Sequence, residues 1–305
     1  MSSNSVVVSG SSNRALAYRI AAALGAENGQ VEIRKFPDNE KYVRIASDVK
    51  GRSVVLVQSM AFNPDEYLVE SILMTAALKG AGAKAVIAAI PYLAYARQDE
   101  KFKEGEVVSI ELVAKMLRSS GVDGLITVDA HRHRIIDFSS IFGGPSIDVS
   151  VMPQLGRYAI QAGFADSNTV VIGPDGEAEP WAASAAQSMN VKDYAALKKK
   201  RFGDEEVKVV TTRDIPLKGR RVLIVDDIIS TGATIVEASK LLKESGAGQI
   251  SVGCAHGIYV SDALYKIYKE GITNVFSSDS VPNQTTRVSV AQPIADGVKA
   301  ILKEL

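Results

Sequence analysis

Short, unbroken aliphatic runs recur along this chain, and segments with helical apolar spacing separate them. Runs of this kind lie at 54–57, 85–90 and 222–225, and similar apolar runs that include small or hydroxyl-bearing residues lie at 125–128 and 250–255. Such a run is typical of a strand buried on both faces of a parallel sheet. Strand and helix in alternation predict a mainly parallel sheet flanked by helices, so we expect an α/β fold.

Two of these segments resemble each other, which indicates an internal repeat. The sequence GRSVVLV at 51–57 matches GRRVLIV at 219–225, and Gly- and Ala-rich turns follow at nearly the same distance, at 80–84 and 245–249. Two related domains are the simplest explanation, with chance similarity between aliphatic strands as the alternative. We place the boundary where Gly143, Gly144 and Pro145 interrupt the pattern, between 1–146 and 147 onward.

The second repeat leads into an unusual polar loop at the start of a helical segment. It contains two acids and then five small residues: Asp226, Asp227, Ser230, Thr231, Gly232, Ala233 and Thr234. Backbone N–H groups at a helix N-terminus, joined by hydroxyls, bind phosphate, whereas the carboxylates suit sugar hydroxyls or Mg²⁺. Neighbouring strand residues point to opposite faces, so we expect one acid to bind and the other to orient the loop. The loop therefore suits a phosphorylated sugar, and a plain strand-to-helix turn capped by Thr and Asp is the alternative.

The first repeat lacks this acid pair. Gln58 and Ser59 stand where Asp226 and Asp227 stand in the second repeat. We therefore expect sugar-phosphate binding in the second domain only.

Two polar segments in the first half carry groups that suit a nucleotide. One follows a predicted strand at 30–35, the other follows the strand ending near residue 90, and they contain Phe36, Asp38, Asn39, Glu40 and Arg97, Gln98, Asp99. The first reads as a hairpin turn with Asn39 at positive φ. The second lies at the carboxyl edge where open α/β sheets bind ligands. An aromatic ring, carboxylates and a planar cation suit a nucleotide, although charged loop tips are also common on ordinary surfaces.

Further candidates for phosphate chemistry follow other predicted strands. His131 comes just after 125–128, and Asp175 lies in the Gly-containing segment 173–177. Both could reach Mg²⁺ held by phosphates, and contact of His131 through water is favoured over direct ligation because Mg²⁺ prefers oxygen. The basic run 198–201 reads either as a solvated face or as a mobile cationic flap over transferring phosphates.

Together these motifs resemble those of one enzyme family. FPDNE, RQD, DAH, GPDGE, KKR and VDDIISTGAT occur in the order and approximate spacing of the ribose-phosphate pyrophosphokinases. The last motif resembles the phosphoribosyl-pyrophosphate loop that this family shares with type I phosphoribosyltransferases. Ser230 stands where an acid is usual, and Ala233 and Asn39 where Gly is common. Ser230 and Ala233 each leave a hydroxyl or backbone donor in place, so phosphate binding is expected to survive.

The resemblance implies a fold, a reaction and residue roles. It implies two domains of the type I phosphoribosyltransferase kind, with the final helix 290–305 returning to the first domain, so that the second is 147–289. The implied enzyme is a kinase that transfers the β,γ-pyrophosphoryl group of Mg-ATP to the anomeric hydroxyl of ribose 5-phosphate, for nucleotide biosynthesis. By resemblance, ATP would bind Phe36, Asp38, Asn39, Glu40, Arg97, Gln98 and Asp99, and ribose 5-phosphate would bind Arg201, Asp226, Asp227, Ser230, Thr231, Gly232, Ala233 and Thr234. Lys199 and Arg201 would be catalytic, with Lys198 and Lys200 as alternatives to Lys199, and His131 and Asp175 would hold Mg²⁺.

The resemblance also implies a homodimer or larger homo-oligomer, with the ATP site near a subunit interface. Two other functions stay open. A phosphoribosyltransferase would use the same sugar-phosphate loop, and a regulatory homologue would bind partners without turnover. The two-domain plan and the basic run count against the first, and the retained charged residues count against the second.

Composition excludes some classes of partner. Lysine plus arginine and aspartate plus glutamate number 35 each, so the formal net charge is zero, and we expect neither nucleic acid nor membrane as a partner. Cys254 is the only cysteine and lies in an apolar run, which indicates a buried residue. With no predicted signal peptide or membrane span, we expect a cytoplasmic protein.

Overall fold

The computed structural model describes residues 4–131, 137–202 and 206–305, and it describes 199–202 and 206–210 by their backbone alone. The chain forms two compact units, Met1–Ser150 with Ser289–Leu305, and Val151–Val288. The predicted boundary is thus too early, because residues 146–149 form a strand of the first sheet. Residues 146–149 belong to the first unit because they pair with a neighbouring strand of its sheet, although two glycines precede them.

The elements of the described residues follow in chain order. The strands are β1 (Ser5–Ser9), β2 (Glu27–Gly29), β3 (Val31–Lys35), β4 (Lys41–Ile45), β5 (Ser53–Val57), β6 (Ala85–Ala89), β7 (Gly124–Val128), β8 (Ser146–Val149), β9 (Val170–Gly173), β10 (Tyr194–Phe202), β11 (Glu206–Thr211), β12 (Val222–Ile229), β13 (Ile250–Gly257), β14 (Asn274–Ser278) and β15 (Thr286–Val288). The helices are α1 (Arg14–Leu24), α2 (Pro64–Gly80), α3 (Ser109–Ser119), α4 (Phe138–Phe142), α5 (Met152–Gln161), α6 (Glu179–Ser188), α7 (Ala233–Glu244), α8 (Ala263–Lys269) and α9 (Ala291–Glu304), and Gly176–Ala178 forms a 3₁₀ turn.

The first unit is built on a six-stranded parallel sheet in the order β2-β1-β5-β6-β7-β8. The aliphatic runs in β1, β5, β6 and β7 are buried, as their patterns predict. The C-terminal helix α9 packs on α1, β7 and β8, so it returns to the first unit as expected. The strand order changes direction between β1 and β5, and in open α/β sheets the carboxyl ends at such a point form the ligand crevice.

The hairpin β3–β4 forms a two-stranded antiparallel sheet of its own. It packs on α2 through β4. The predicted strand at 30–35 and the hairpin turn that follows it are therefore confirmed.

The second unit repeats the arrangement of the first. Its seven strands lie in the order β11-β10-β9-β12-β13-β14-β15, parallel except for the antiparallel pair β10–β11. The repeated segment at 219–225 enters β12, which lies between β9 and β13, as β5 lies between β1 and β6. The internal repeat thus corresponds to a structural repeat, and the prediction of two parallel-sheet α/β domains is confirmed.

Local signals for helix ends agree with the structure. The side chain of Asn13 accepts a hydrogen bond from the N–H of Leu16 at the start of α1, and Gly25 ends this helix in the left-handed conformation at φ 62°. Such caps satisfy backbone groups that the helix itself leaves unpaired. Within the described ranges, the helices are all too short or too polar to cross a bilayer.

Candidate functional site

The two acids of the second unit lie on strand β12, which is longer than predicted. The strand continues beyond residue 225 to Ile229, so both acids are within it and both are buried. The carboxylate of Asp226 accepts a 3.0 Å hydrogen bond from the N–H of Asp227, and the carboxylate of Asp227 accepts one of 2.7 Å from the N–H of Ile228. These bonds fix the backbone that leads into the loop.

Asp226 is in an environment that opposes its negative charge. Burial raises its pKa well above the ordinary value of 3.8, and the charges of Asp227 and Asp175 raise it further. A buried carboxyl beside other acids gains from a hydrogen-bond partner or a cation. The environment is therefore suited to a ligand that brings hydroxyl groups or positive charge.

The loop that follows begins helix α7. Gly232 precedes the helix in the left-handed conformation, at φ 74°, and a Cβ there would lie 3.2 Å from the carbonyl oxygen of Ala263. The backbone of Ser230 is fixed, because its carbonyl accepts a 3.0 Å hydrogen bond from the N–H of Val260. The first amides of α7 have no acceptor within the helix. Thr231, Ala233 and Thr234 are exposed around them, and this arrangement suits a bound phosphate.

A cavity of about 470 Å³ lies next to this loop in the second unit. Its lining includes Asp175, Lys198 and Thr234. The carboxylate of Asp175 accepts hydrogen bonds from the N–H groups of Glu177 (3.0 Å) and Ala178 (3.2 Å). The structure thus brings a predicted metal-binding acid, the basic run and the predicted phosphate loop to one cavity.

The predicted catalytic residues Lys199 and Arg201 lie on strand β10, where Lys199 pairs with Val209 and Arg201 with Val207 of β11. The basic run 198–201 is therefore part of a strand.

In the first unit, residues 36–40 form the turn of the β3–β4 hairpin. The N–H of Phe36 donates to the carbonyl of Glu40 at 2.8 Å, and Asn39 has φ 71° as predicted. The guanidinium of Arg34 lies 4.8 Å from the ring centre of Phe36. Phe36, Asp38, Asn39 and Glu40 are all exposed and open to a ligand.

The other predicted nucleotide residues follow β6, and the predicted metal-binding residue His131 follows the neighbouring strand β7. Arg97 is exposed, Gln98 is half-buried and donates through Nε2 to Glu106 at 3.3 Å, and Asp99 is buried. His131 is half-buried and follows β7. These residues therefore lie beyond the carboxyl ends of adjacent parallel strands, the expected position for a ligand.

A buried polar cluster in the first unit was not predicted. The carboxylate of Glu70, on α2, contacts the ammonium of Lys41, which directly follows the turn 36–40, and the pair is buried. The sequence around Glu70 does not indicate that this residue is buried. The available signal was Lys41 on the inward face of the hairpin, where a charge needs a partner.

The acidic side chains near the cavity fit one mode of Mg²⁺ binding. Within the part of the chain that the structure describes, no group of three His, Cys, Asp or Glu side chains is arranged to hold a metal ion. The exposed carboxylate of Asp175, close enough to Asp226 for its charge to act there, is of the oxygen type that Mg²⁺ prefers. Mg²⁺ commonly uses one or two carboxylates together with substrate phosphates and water, and these residues fit that mode.

Comparisons with known proteins agree over nearly the whole chain. Residues 5–121 match a family model described as the N-terminal domain of ribose phosphate pyrophosphokinase, and residues 155–292 match the phosphoribosyl transferase domain. Ribose-phosphate pyrophosphokinases from Methanopyrus kandleri and Methanothermobacter thermautotrophicus are each 38% identical, over 96% of this chain and 98% and 100% of those proteins. A crystal structure of phosphoribosylpyrophosphate synthetase from Mycobacterium smegmatis matches with a TM-score of 0.86 and 28% identity, covering 99% of this chain and 100% of that one. With both domain models matched in order and full-length relatives alike throughout, the chain belongs to the ribose-phosphate pyrophosphokinase family of enzymes.

Proposed function

We propose that the protein transfers the β,γ-pyrophosphoryl group of Mg-ATP to the anomeric hydroxyl of ribose 5-phosphate and releases 5-phosphoribosyl 1-pyrophosphate and AMP. The proposal rests on the arrangement of polar groups at the start of α7. There, amides without intrahelical acceptors and the exposed residues Thr231 and Thr234 follow the strand that carries the buried Asp226. A sugar phosphate has both the anion and the hydroxyls that these groups would bind.

In this proposal each unit binds one substrate. The loop from Ser230 to Thr234 holds the 5-phosphate, while Asp226 accepts hydrogen bonds from sugar hydroxyls and Asp227 holds the strand end in place. In the first unit, Phe36 contacts the adenine, and Asp38, Asn39 and Glu40 act with Arg97, Gln98 and Asp99 on the rest of ATP. Family membership supports these substrates.

Catalysis would depend mostly on positioning and on charge. The attacking sugar oxygen, the β-phosphorus and the departing AMP oxygen must lie roughly in line, and no side chain need be covalently attached. Lys199 and Arg201 would stabilise negative charge that grows on the transferring group. Asp175, and His131 through water, would hold Mg²⁺, which when bound neutralises phosphate charge.

The proposal is tested by incubating the purified full-length protein with ATP, ribose 5-phosphate and Mg²⁺. Release of AMP that needs all three supports it. The rival reading is a phosphoribosyltransferase, which would instead consume 5-phosphoribosyl 1-pyrophosphate in the presence of a base and release pyrophosphate. The match of residues 5–121 to a pyrophosphokinase N-terminal domain favours the first reaction.

We further propose that the protein works as a homodimer or larger homo-oligomer, with the ATP site near a subunit interface. Val69 and Leu73 on α2, and Leu112 and Met116 on α3, are exposed, and these two helices contact each other. Apolar side chains on adjacent helices suit coverage by a second copy of the chain. Light scattering tests this. The wild type should be larger than a monomer, and Leu73→Glu should be smaller than the wild type. A monomeric wild type contradicts the proposal. A cytoplasmic location stays part of the proposal, because the only cysteine, Cys254, is free and buried, so the chain forms no internal disulfide.

A further inference from the structure

The carboxylate of Glu70 lies at the carboxyl ends of β1 and β5, where the strand order of the first sheet reverses. It accepts hydrogen bonds from the N–H of Ser11 at 2.6 Å, from the hydroxyl of Ser11 at 2.8 Å and from the side-chain amide of Gln58 at 2.8 Å. It also contacts the ammonium of Lys41. Glu70 is fully buried, so these groups satisfy a negative charge that water does not reach.

Lys41 connects this cluster to the β3–β4 hairpin. Its ammonium also lies 2.9 Å from Glu66, and its side chain is only 8% exposed. Burial lowers the pKa of Lys41, but hydrogen bonds and charge from Glu70 and Glu66 outweigh it and leave the pKa raised. Lys41 therefore stays charged and paired at neutral pH.

The hairpin has few other means of being held at its tip. It is a two-stranded sheet separate from the main one, and such a hairpin is marginally stable alone. At its base, Val31, Ile33, Val43 and Ile45 pack on the apolar core. On the same faces, nearer the turn, come Lys35 and Lys41, which pair with each other across the strands.

Those two lysines both pair with α2. Lys35 lies 3.0 Å from Glu66, which Lys41 also contacts. The base of the hairpin is thus held by apolar contacts and its tip by ion pairs. The turn 36–40 lies directly between the two paired lysines and is itself exposed.

We propose that Lys41 and Glu70 are positioning residues for ATP: their buried ion pair fixes the hairpin tip against α2, so that residues 36–40 meet the nucleotide in one arrangement. This rests on the proposed function, because it takes residues 36–40 as part of the ATP site. Neither side chain contacts the substrate. Without the pair, the tip samples several positions and ATP binding must select one of them.

The test compares initial rates of AMP release by the full-length wild type, Lys41→Met, Lys41→Arg and Glu66→Gln, varying each substrate separately. For Lys41→Met we expect the KM for ATP to rise about tenfold, with kcat and the KM for ribose 5-phosphate within about threefold of the wild type. Lys41→Arg keeps the charge and should recover most of this loss. Glu66→Gln, whose carboxylate is 32% exposed in the wild type, should fold normally and raise the KM for ATP about threefold.

Lys79→Met is the matched control. Lys79 lies on the same helix and its ammonium is 2.5 Å from Asp123, far along α2 from the hairpin, so its loss should not change the KM for ATP. An unchanged KM for ATP in Glu66→Gln and Lys41→Met, or an equal rise in both KM values, overturns the proposal. If Lys41→Met does not fold, Glu66→Gln decides. A wild type that releases no AMP overturns the proposed function instead.

Discussion

The loops that follow β5 and β12 occupy equivalent places in two related units, yet one is filled by its own chain and the other is open. In the first unit, Gln58 accepts hydrogen bonds from the N–H and hydroxyl of Ser12 at 3.2 and 2.8 Å, and a Cβ on Gly10 would lie 2.2 Å from its side-chain oxygen. Glu70 supplies the anion. In the second unit, the buried face of α7 is Ile235, Ala238, Ser239 and Leu242, without a charged residue.

The two units differ in the source of the negative charge that meets their backbone amides. In the first unit the carboxylate of Glu70 accepts a hydrogen bond from the N–H of Ser11, which follows β1, and contacts the ammonium of Lys41, so the crevice is satisfied without a ligand. On the buried face of α7 in the second unit there is no such carboxylate for the first amides of the helix, and burial opposes the negative charge of Asp226. A ligand with a phosphate and hydroxyls would complete the second loop but would find the first occupied.

The largest effect is expected where the second unit acts on the transferring phosphates. Lys199→Ala should lower kcat about 10³-fold, or about 4 kcal/mol, with the KM values changing little, because a charge that acts mainly in the transition state affects turnover. In contrast to Lys41, which the fold pairs, Lys199 would be needed by the substrate. Steady-state rates of AMP release measure this.

Lys198→Ala is the comparison variant, because Lys198 is the neighbouring residue of the basic run and lines the cavity with Asp175. We expect a change of less than about threefold in kcat. A large loss in Lys198→Ala with little loss in Lys199→Ala would assign the catalytic role to Lys198.

The next effect is on the stability of the first loop. Glu70→Gln should lower the free energy of unfolding by about 3 kcal/mol, because it leaves Lys41 with a buried charge and one fewer anionic partner. Denaturant unfolding followed by circular dichroism measures this. The exposed pair Glu32–Arg44 on the same hairpin offers a control, and Glu32→Gln should cost less than about 0.5 kcal/mol. Equal losses would show that Glu70 is not specially placed.

The sequence predicts the open loop better than the filled one. Aliphatic runs encode strands buried on both faces, and the repeat at 51–57 and 219–225 places those strands at equivalent positions. Local residue types also predict the positive φ of Asn39. These features depend on neighbours in the chain, so one sequence is enough to reveal them.

What the sequence does not reveal depends on distant partners. The composition of the basic run 198–201 is typical of a solvated loop, but the run lies on β10 and pairs with β11 at the edge of the sheet. Asp226 and Asp227 interrupt an apolar pattern, yet β12 continues through them because β13 pairs alongside. Glu70 is buried because Ser11, Lys41 and Gln58 converge on it from three other segments.

A third prediction concerns the shape of the open loop. Gly232→Ala should raise the KM for ribose 5-phosphate about tenfold, because a side chain at φ 74° costs about 1–2 kcal/mol and its Cβ would crowd Ala263 and Ile267. The KM for ATP should not change. Kinetics with each substrate varied separately measure both values.

Variants at two other positions separate the effect of backbone strain from the effect of a position in the sugar-phosphate loop. Gly219 has the same φ with open space around it, so Gly219→Ala should cost similar stability and leave both KM values unchanged. Phe62, in the first loop, has φ 69° and is exposed, so Phe62→Gly should not alter the KM for ribose 5-phosphate. A change in that KM in Phe62→Gly would mean that the first loop also binds the sugar.

The smallest effect has the opposite sign to that of Glu70→Gln. Burial, Asp227 and Asp175 raise the pKa of Asp226, so the folded protein binds this proton more tightly than the unfolded chain, and the charged form destabilises the fold above the unfolded pKa. Asp226→Asn removes that charge and should raise the stability of the second unit at pH 7 by about 1 kcal/mol, which corresponds to about 2–4 °C in melting temperature. The gain should shrink as the pH falls toward 3.8, where the wild-type carboxyl is already protonated in the fold. Activity should be lost, because Asn presents one acceptor oxygen where two carboxylate oxygens would receive sugar hydroxyls. A variant less stable than the wild type at pH 7 would show that Asp226 is compensated within the fold, as Glu70 is, and the contrast between the two loops would fail.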